Sequence, residues 1–154
     1  MIEAIMSGVV ATLFLDAWQR ILRLAAGIPV SNWALVGRWF AHLPQGRMFH
    51  DPITEAKPVD HELAIGWIGH YVTGIAYGFI YLWVIRDLLG LEPTILNGLV
   101  FGAISVLVPW FFFMPAMGGG LLGRNTPNPP KACVLAFMTH CVFGVGLATG
   151  ALVV

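Results

Sequence analysis

Four stretches of the chain stay apolar long enough to cross the roughly 30 Å hydrocarbon layer of a bilayer at about 1.5 Å per helical residue. They are residues about 2–24, 61–85, 94–116 and 130–153. Polar positions collect between them, and no stretch alternates as a half-buried strand does. The pattern predicts an all-α membrane protein, a single domain over residues 1–154 with four transmembrane helices. The first span is the least clean, because Asp16, Gln19, Arg20 and Arg23 occupy its second half. That end is expected to be wet or to snorkel.

One connection is long, residues 25–60. Within it Ser31 and Asn32 are capping residues ahead of a short helix over about 31–43. Val36, Phe40 and Leu43 fall on one face, Arg38 and His42 elsewhere, and Trp33 and Trp39 add rings that favour the membrane interface. This predicts an amphipathic helix lying in the headgroup plane. Asp60 is placed to cap the second span. In the third span Pro109 removes a backbone donor and should bend the helix. Asn128, with prolines in the turn after it, marks the start of the fourth span.

Composition agrees with the pattern. Apolar residues make up 58% and charged residues 10%, against about a quarter charged in soluble domains. Eight basic and eight acidic residues cancel, so nothing calls for nucleic acid, and the lipid bilayer is the first expected partner. The start of the chain carries Glu3 and no basic segment, which reads as a retained span rather than a secretory signal. Cys133 and Cys141 lie about two helical turns apart on one span, too far along it to bridge easily. Arg20, Arg23, Arg38, Arg47, Lys57, Arg124 and Lys131 flank or occupy the first and third connections, and Arg86 alone lies at the second. The positive-inside rule therefore predicts both termini outside the cytoplasm.

The run His70-Tyr71-Val72-Thr73-Gly74 has an echo in His140-Cys141-Val142-Phe143-Gly144. Two spans per half would make a parallel two-plus-two repeat. His70 lies nine residues after His61 and His140 nine after Lys131, so both sit about 13 Å below the same border. Small residues at Gly74, Gly78, Gly144 and Ala148 share the histidine faces, and Gly98 and Gly102 mark a similar face on the third span. Such rows pack against helices rather than lipid.

Asp16, seven residues from Arg23, lies about 10 Å from that border. Asp16, His70 and His140 thus form the leading candidate site for a proton, a metal ion such as copper or zinc, or a small solute, with Tyr71 and Ser105 as further ligand-binding groups. The same residues suit a plainer use, with Asp16 pairing Arg20 at i,i+4 and each histidine bonding a neighbouring helix. Two histidines at matched depth also suit bis-histidine ligation of haem b. Met114, Met117 and Cys141, with Met138 nearby, are weaker soft-metal ligands. His50, Asp51, His61 and Glu62 gather at the mouth of the second span, where they could gate the site or simply form a charged helix start. The glycines at 118–120 with Arg124 offer an anion cradle, but lack the ending of a phosphate loop. No Ser-His-Asp set or hydrolytic carboxylate pair is readable, which points away from an enzyme.

Gly66-Trp67-Ile68-Gly69-His70-Tyr71, the Met114-Pro115-Ala116-Met117-Gly118 turn, Thr126-Pro127 with Pro129, and His140 with Phe143-Gly144-Val145-Gly146-Leu147 carry a resemblance. On these the chain resembles domain-of-unknown-function 2938, a family of small bacterial integral membrane proteins. The resemblance implies a bacterial inner-membrane setting and assigns no activity to any residue. Three functions are therefore expected: transport or binding at the Asp/His site, haem electron transfer, or an accessory role. The last would dock a homo-oligomer or a larger membrane complex through the glycine-rich faces.

Overall fold

The computed structural model describes residues 1–153. Among them there are helices and no strands. Four helices are long and apolar enough to cross a membrane: α1 (Ile2–Ala26), α3 (Glu62–Leu88), α4 (Ile95–Ala116) and α5 (Pro129–Leu152). A shorter helix, α2 (Trp33–His42), lies in the first connection. The protein is a multi-pass membrane protein.

Helix ends follow local chemistry. Gly27 adopts φ 63°, which favours glycine, and closes α1 with its N–H on the Arg23 carbonyl while Ile28 N–H reaches Leu22. The Asn32 side chain accepts from the Ala34 and Leu35 N–H groups, and Asn128 Oδ1 accepts from Lys131 N–H at 3.1 Å, both as expected. At α3 the expected cap does not form: His61, at φ 60°, precedes the helix, its carbonyl accepts from Ile65 N–H, and the Glu62 carboxylate accepts from Val59 N–H. At Pro109 the ladder widens into a π turn over Pro109–Phe113, since proline supplies no N–H. A second π turn, Trp83–Leu88, ends α3.

The chain falls into two compact units. The first joins Met1–Ser31, His70–Ser105 and the chain from Met138 onward. It is built on glycine crossings. A side chain on Gly74 would strike Thr12 and the Gly8 carbonyl, and one on Gly144 would strike the Gly98 carbonyl and Gly102, so α1 meets α3, and α4 meets α5, almost backbone to backbone. Gly146 and Gly150 lie against α1 at Ala11 and Ser7, and the Ser7 hydroxyl donates to the Leu147 carbonyl. Tyr77 and Tyr81 of α3 contact the Phe101 ring of α4, and Tyr77 also contacts Phe143 of α5. The glycine faces are thus consumed inside the chain. These glycines serve as packing faces for the chain's own helices.

The second unit joins Asn32–Gly69 and Val106–Phe137. Here α2 differs from the expected amphipathic surface helix, because no residue from 33 to 43 is exposed, and Arg38 and His42 are on its buried side. Gly37 lies against the Glu62 carbonyl and Gly66 against the Trp33 carbonyl, so α2 packs closely on the start of α3. Trp39 packs with Ile53 and Ala116, and its indole N–H donates to the Met48 carbonyl at 2.8 Å.

Candidate functional site

Asp16 and His70 come together in the first unit. His70 Nε2 lies 3.1 Å from Asp16 Oδ1, and the Tyr71 hydroxyl donates to Asp16 Oδ2 at 3.3 Å. Both members of the pair are about 9% exposed. The glycine crossing explains the approach: with Gly8 against Gly74, two antiparallel helices bring Asp16, two turns beyond Gly8, alongside His70, one turn before Gly74. Asp16 makes this pair rather than the i,i+4 pair with Arg20, which is exposed and has no ion-pair partner among the described residues. An ionisable group in an apolar helix is costly unless paired, and the buried imidazole and phenol meet that need.

His140 takes a different partner. Its Nδ1 lies 2.8 Å from Ser105 Oγ, while the Ser105 hydroxyl donates to the Gly102 carbonyl at 2.8 Å. With that single hydrogen committed, the serine oxygen accepts from His140 Nδ1–H. The structure does not assemble Asp16, His70 and His140 into the expected copper or zinc set: among the described residues no three His, Cys, Asp or Glu side chains come together to hold a metal. One reason is visible in the bonding, since Asp16 has an oxygen on each of His70 and Tyr71 and His140 is bonded to Ser105. Bis-histidine haem ligation also loses support, because His70 commits Nε2 to Asp16. Of the soft-metal candidates, Met117 packs against the cluster of Trp39, Ile53 and Ala116, the Met114 sulfur lies near Gly123, and Cys141 is partly buried with a free thiol.

The mouth residues separate. In the second unit His50 Nε2 lies 2.9 Å from His42 Nδ1. The ring centroids are 5.1 Å apart and tilted by 26°. Two imidazoles hydrogen-bonded end to end have centroids at about this separation, so the rings share a proton in line rather than splaying around an ion. Glu62 instead takes Arg38, with Nε at 2.9 Å from Oε2 and Nη2 at 3.0 Å from Oε1, a bidentate pair. Arg38 Nη1 donates to the carbonyls of Ile53, Thr54 and Ala56. The Glu62 hydrogen bond raises the already high pKa of this guanidinium against the opposing effect of burial. Asp51 and His61 are exposed. The glycine turn offers no anion cradle of the expected kind, since Gly118 and Gly119 donate their N–H groups to the Pro115 and Met114 carbonyls.

Sequence reasoning passed over His42, Arg38, Glu3 and Arg86. A signal existed for Arg38 and His42: polar residues within an otherwise apolar helix need partners if that helix is buried.

A family model described as "Protein of unknown function (DUF2938)" matches residues 5–154. The chain belongs to this family. Neither the comparison with curated proteins nor that with solved structures found a match. The match takes in three of the long helices whole and α1 from residue 5 on, with Asp16, His70 and His140, and the family's description assigns no activity, so the functional reading rests on the geometry.

Proposed function

We propose that this protein binds or passes a proton or small solute at an intramembrane site built on Asp16 and His70, with Tyr71 in support. The observation that carries the reading is the buried Asp16–His70 pair on two helices long and apolar enough to span a bilayer. Such pairs are expensive to place in hydrocarbon and serve as proton-exchanging stations in pumps and transporters. A carboxylate facing an imidazole can take or release a proton by a short transfer along one hydrogen bond. His140, tied to Ser105, acts here as interhelical glue. The setting is a bacterial inner membrane, with both termini outside and the connections carrying Arg38, Lys57 and Arg124 in the cytoplasm, by the bias of basic residues.

The test is reconstitution of the full chain into liposomes enclosing a pH-sensitive dye, followed by an imposed proton gradient with and without candidate solutes. Wild-type vesicles are expected to equilibrate faster than empty ones, and Asp16→Asn and His70→Gln vesicles to behave like empty ones. Wild-type rates in both variants would overturn the reading.

A further inference from the structure

At the other end of α1 the structure holds a second set of polar groups. Arg86 donates through Nη1 to Glu3 Oε2 at 2.6 Å, and its Nη2 lies 3.5 Å from Glu92 Oε2. Glu3 Oε1 is buried and has no hydrogen-bond partner. Tyr81 is fully buried and its hydroxyl also lacks a partner, five residues before Arg86 on α3. Buried oxygens without partners are uncommon in folded proteins and ask for an explanation. The backbone is unusual at the same place, since Arg86 lies in the π turn Trp83–Leu88, and π turns often mark functional positions.

We propose that Glu3 is a second proton-binding station, reached when Arg86 releases Glu3 and stays on Glu92, and that the species handled by this protein is therefore the proton. The proposal rests on the reading of Asp16 and His70 as a transport site and narrows it. A metal cation at Glu3 would face the Arg86 charge, and an anion would face two carboxylates. A proton meets neither objection. It adds to Glu3 Oε1, the Arg86 guanidinium keeps its own charge and shifts its hydrogen bonds to Glu92, and the group of three side chains goes from one net negative charge to none. On release the proton leaves Oε1 and Arg86 returns. Of the other titratable groups, the Met1 amine lies two residues before Glu3 on α1, Tyr81 and Asp87 lie on the stretch of α3 that carries Arg86, and Glu92 lies in the connection that follows. The facing end of α5, residues 148–153, has none. Glu3 and Asp16 are thirteen residues apart, about 20 Å along α1, so the two stations lie toward opposite ends of one span.

The experiment is infrared difference spectroscopy of the full chain in lipid nanodiscs on stepwise acidification. A protonated-carboxyl C=O band is expected that disappears in Glu3→Gln, persists in Asp16→Asn and changes frequency in Tyr81→Phe. Glu92→Gln, which keeps Glu3 and does not depend on the folding of the Glu3 variant, is expected to move the band to lower pH, because Arg86 loses its alternative partner. A spectrum unchanged by Glu3→Gln, or a band midpoint unmoved by Glu92→Gln, overturns the proposal. The liposome assay separates the two ideas. Flux lost in Asp16→Asn with no Glu3 band leaves the Asp16 reading standing and ends this one; a Glu3 band with flux indifferent to Asp16→Asn does the reverse.

Discussion

His70 and His140 occupy matching places in two echoing stretches, yet one faces a carboxylate and the other a hydroxyl. Each lies one turn before a glycine that crosses a glycine of the preceding long helix, Gly74 on Gly8 and Gly144 on Gly98. The partner then sits eight residues past the crossing at Asp16, or seven past it at Ser105. This correspondence runs through both echoing stretches and shows where they differ. The scaffold is shared, while the charge is confined to one copy. An imidazole on a serine is held by ordinary interhelical bonding, which is modest in membranes, about 0.6 kcal/mol on average. A buried carboxylate that loses its imidazole is another matter, because an uncompensated buried charge costs about 3–5 kcal/mol.

The largest expected effect follows from that difference. His70→Ala should destabilise the protein by about 3 kcal/mol, read by equilibrium unfolding in mixed detergent micelles; a loss no greater than that of the serine variant below would break the contrast. Next come the crossings themselves. Gly74→Ala and Gly144→Ala should each cost about 2 kcal/mol, since the added methyl group has no room against Thr12 in one half or the Gly98 carbonyl in the other. Similar losses from both would sharpen the view that the two halves are built alike, and indifference in either half would undo it. Ser105→Ala should cost only about 0.6 kcal/mol and leave proton flux intact. The smallest effect is expected from Arg20→Gln, within about 0.5 kcal/mol, because Arg20 does not pair with Asp16. A loss as large as that of His70→Ala would show that the carboxylate depends on Arg20 after all.

The four long helices were legible because hydrocarbon thickness sets a length that few other structures need, and the starts of α2 and α5 because asparagine caps act within three residues. The glycine faces were legible as packing faces, but not their occupants, since any close helix would suit a glycine row. For Asp16 the sequence offered two partners, Arg20 at four residues and His70 at fifty-four. Local spacing favours the first, and only the Gly8–Gly74 crossing brings in the second. The partners within the mouth cluster were hidden for a related reason. Neighbours in sequence such as His61 and Glu62 need not share partners, and Glu62 turns to Arg38 on a helix whose buried face was expected to be its apolar one. His42 meets His50 because the chain folds back between them, with the Trp39 indole tied to Met48.

The central claim is that the Asp16–His70 pair is the working centre and the His140–Ser105 pair a structural tie. The most direct test is the rate at which liposomes containing each variant dissipate an imposed proton gradient, compared at equal protein incorporation. The account predicts that Asp16→Asn reduces the rate to that of empty vesicles while Ser105→Ala keeps the wild-type rate. Equal rates in wild-type and Asp16→Asn vesicles, or a loss confined to Ser105→Ala, would contradict it.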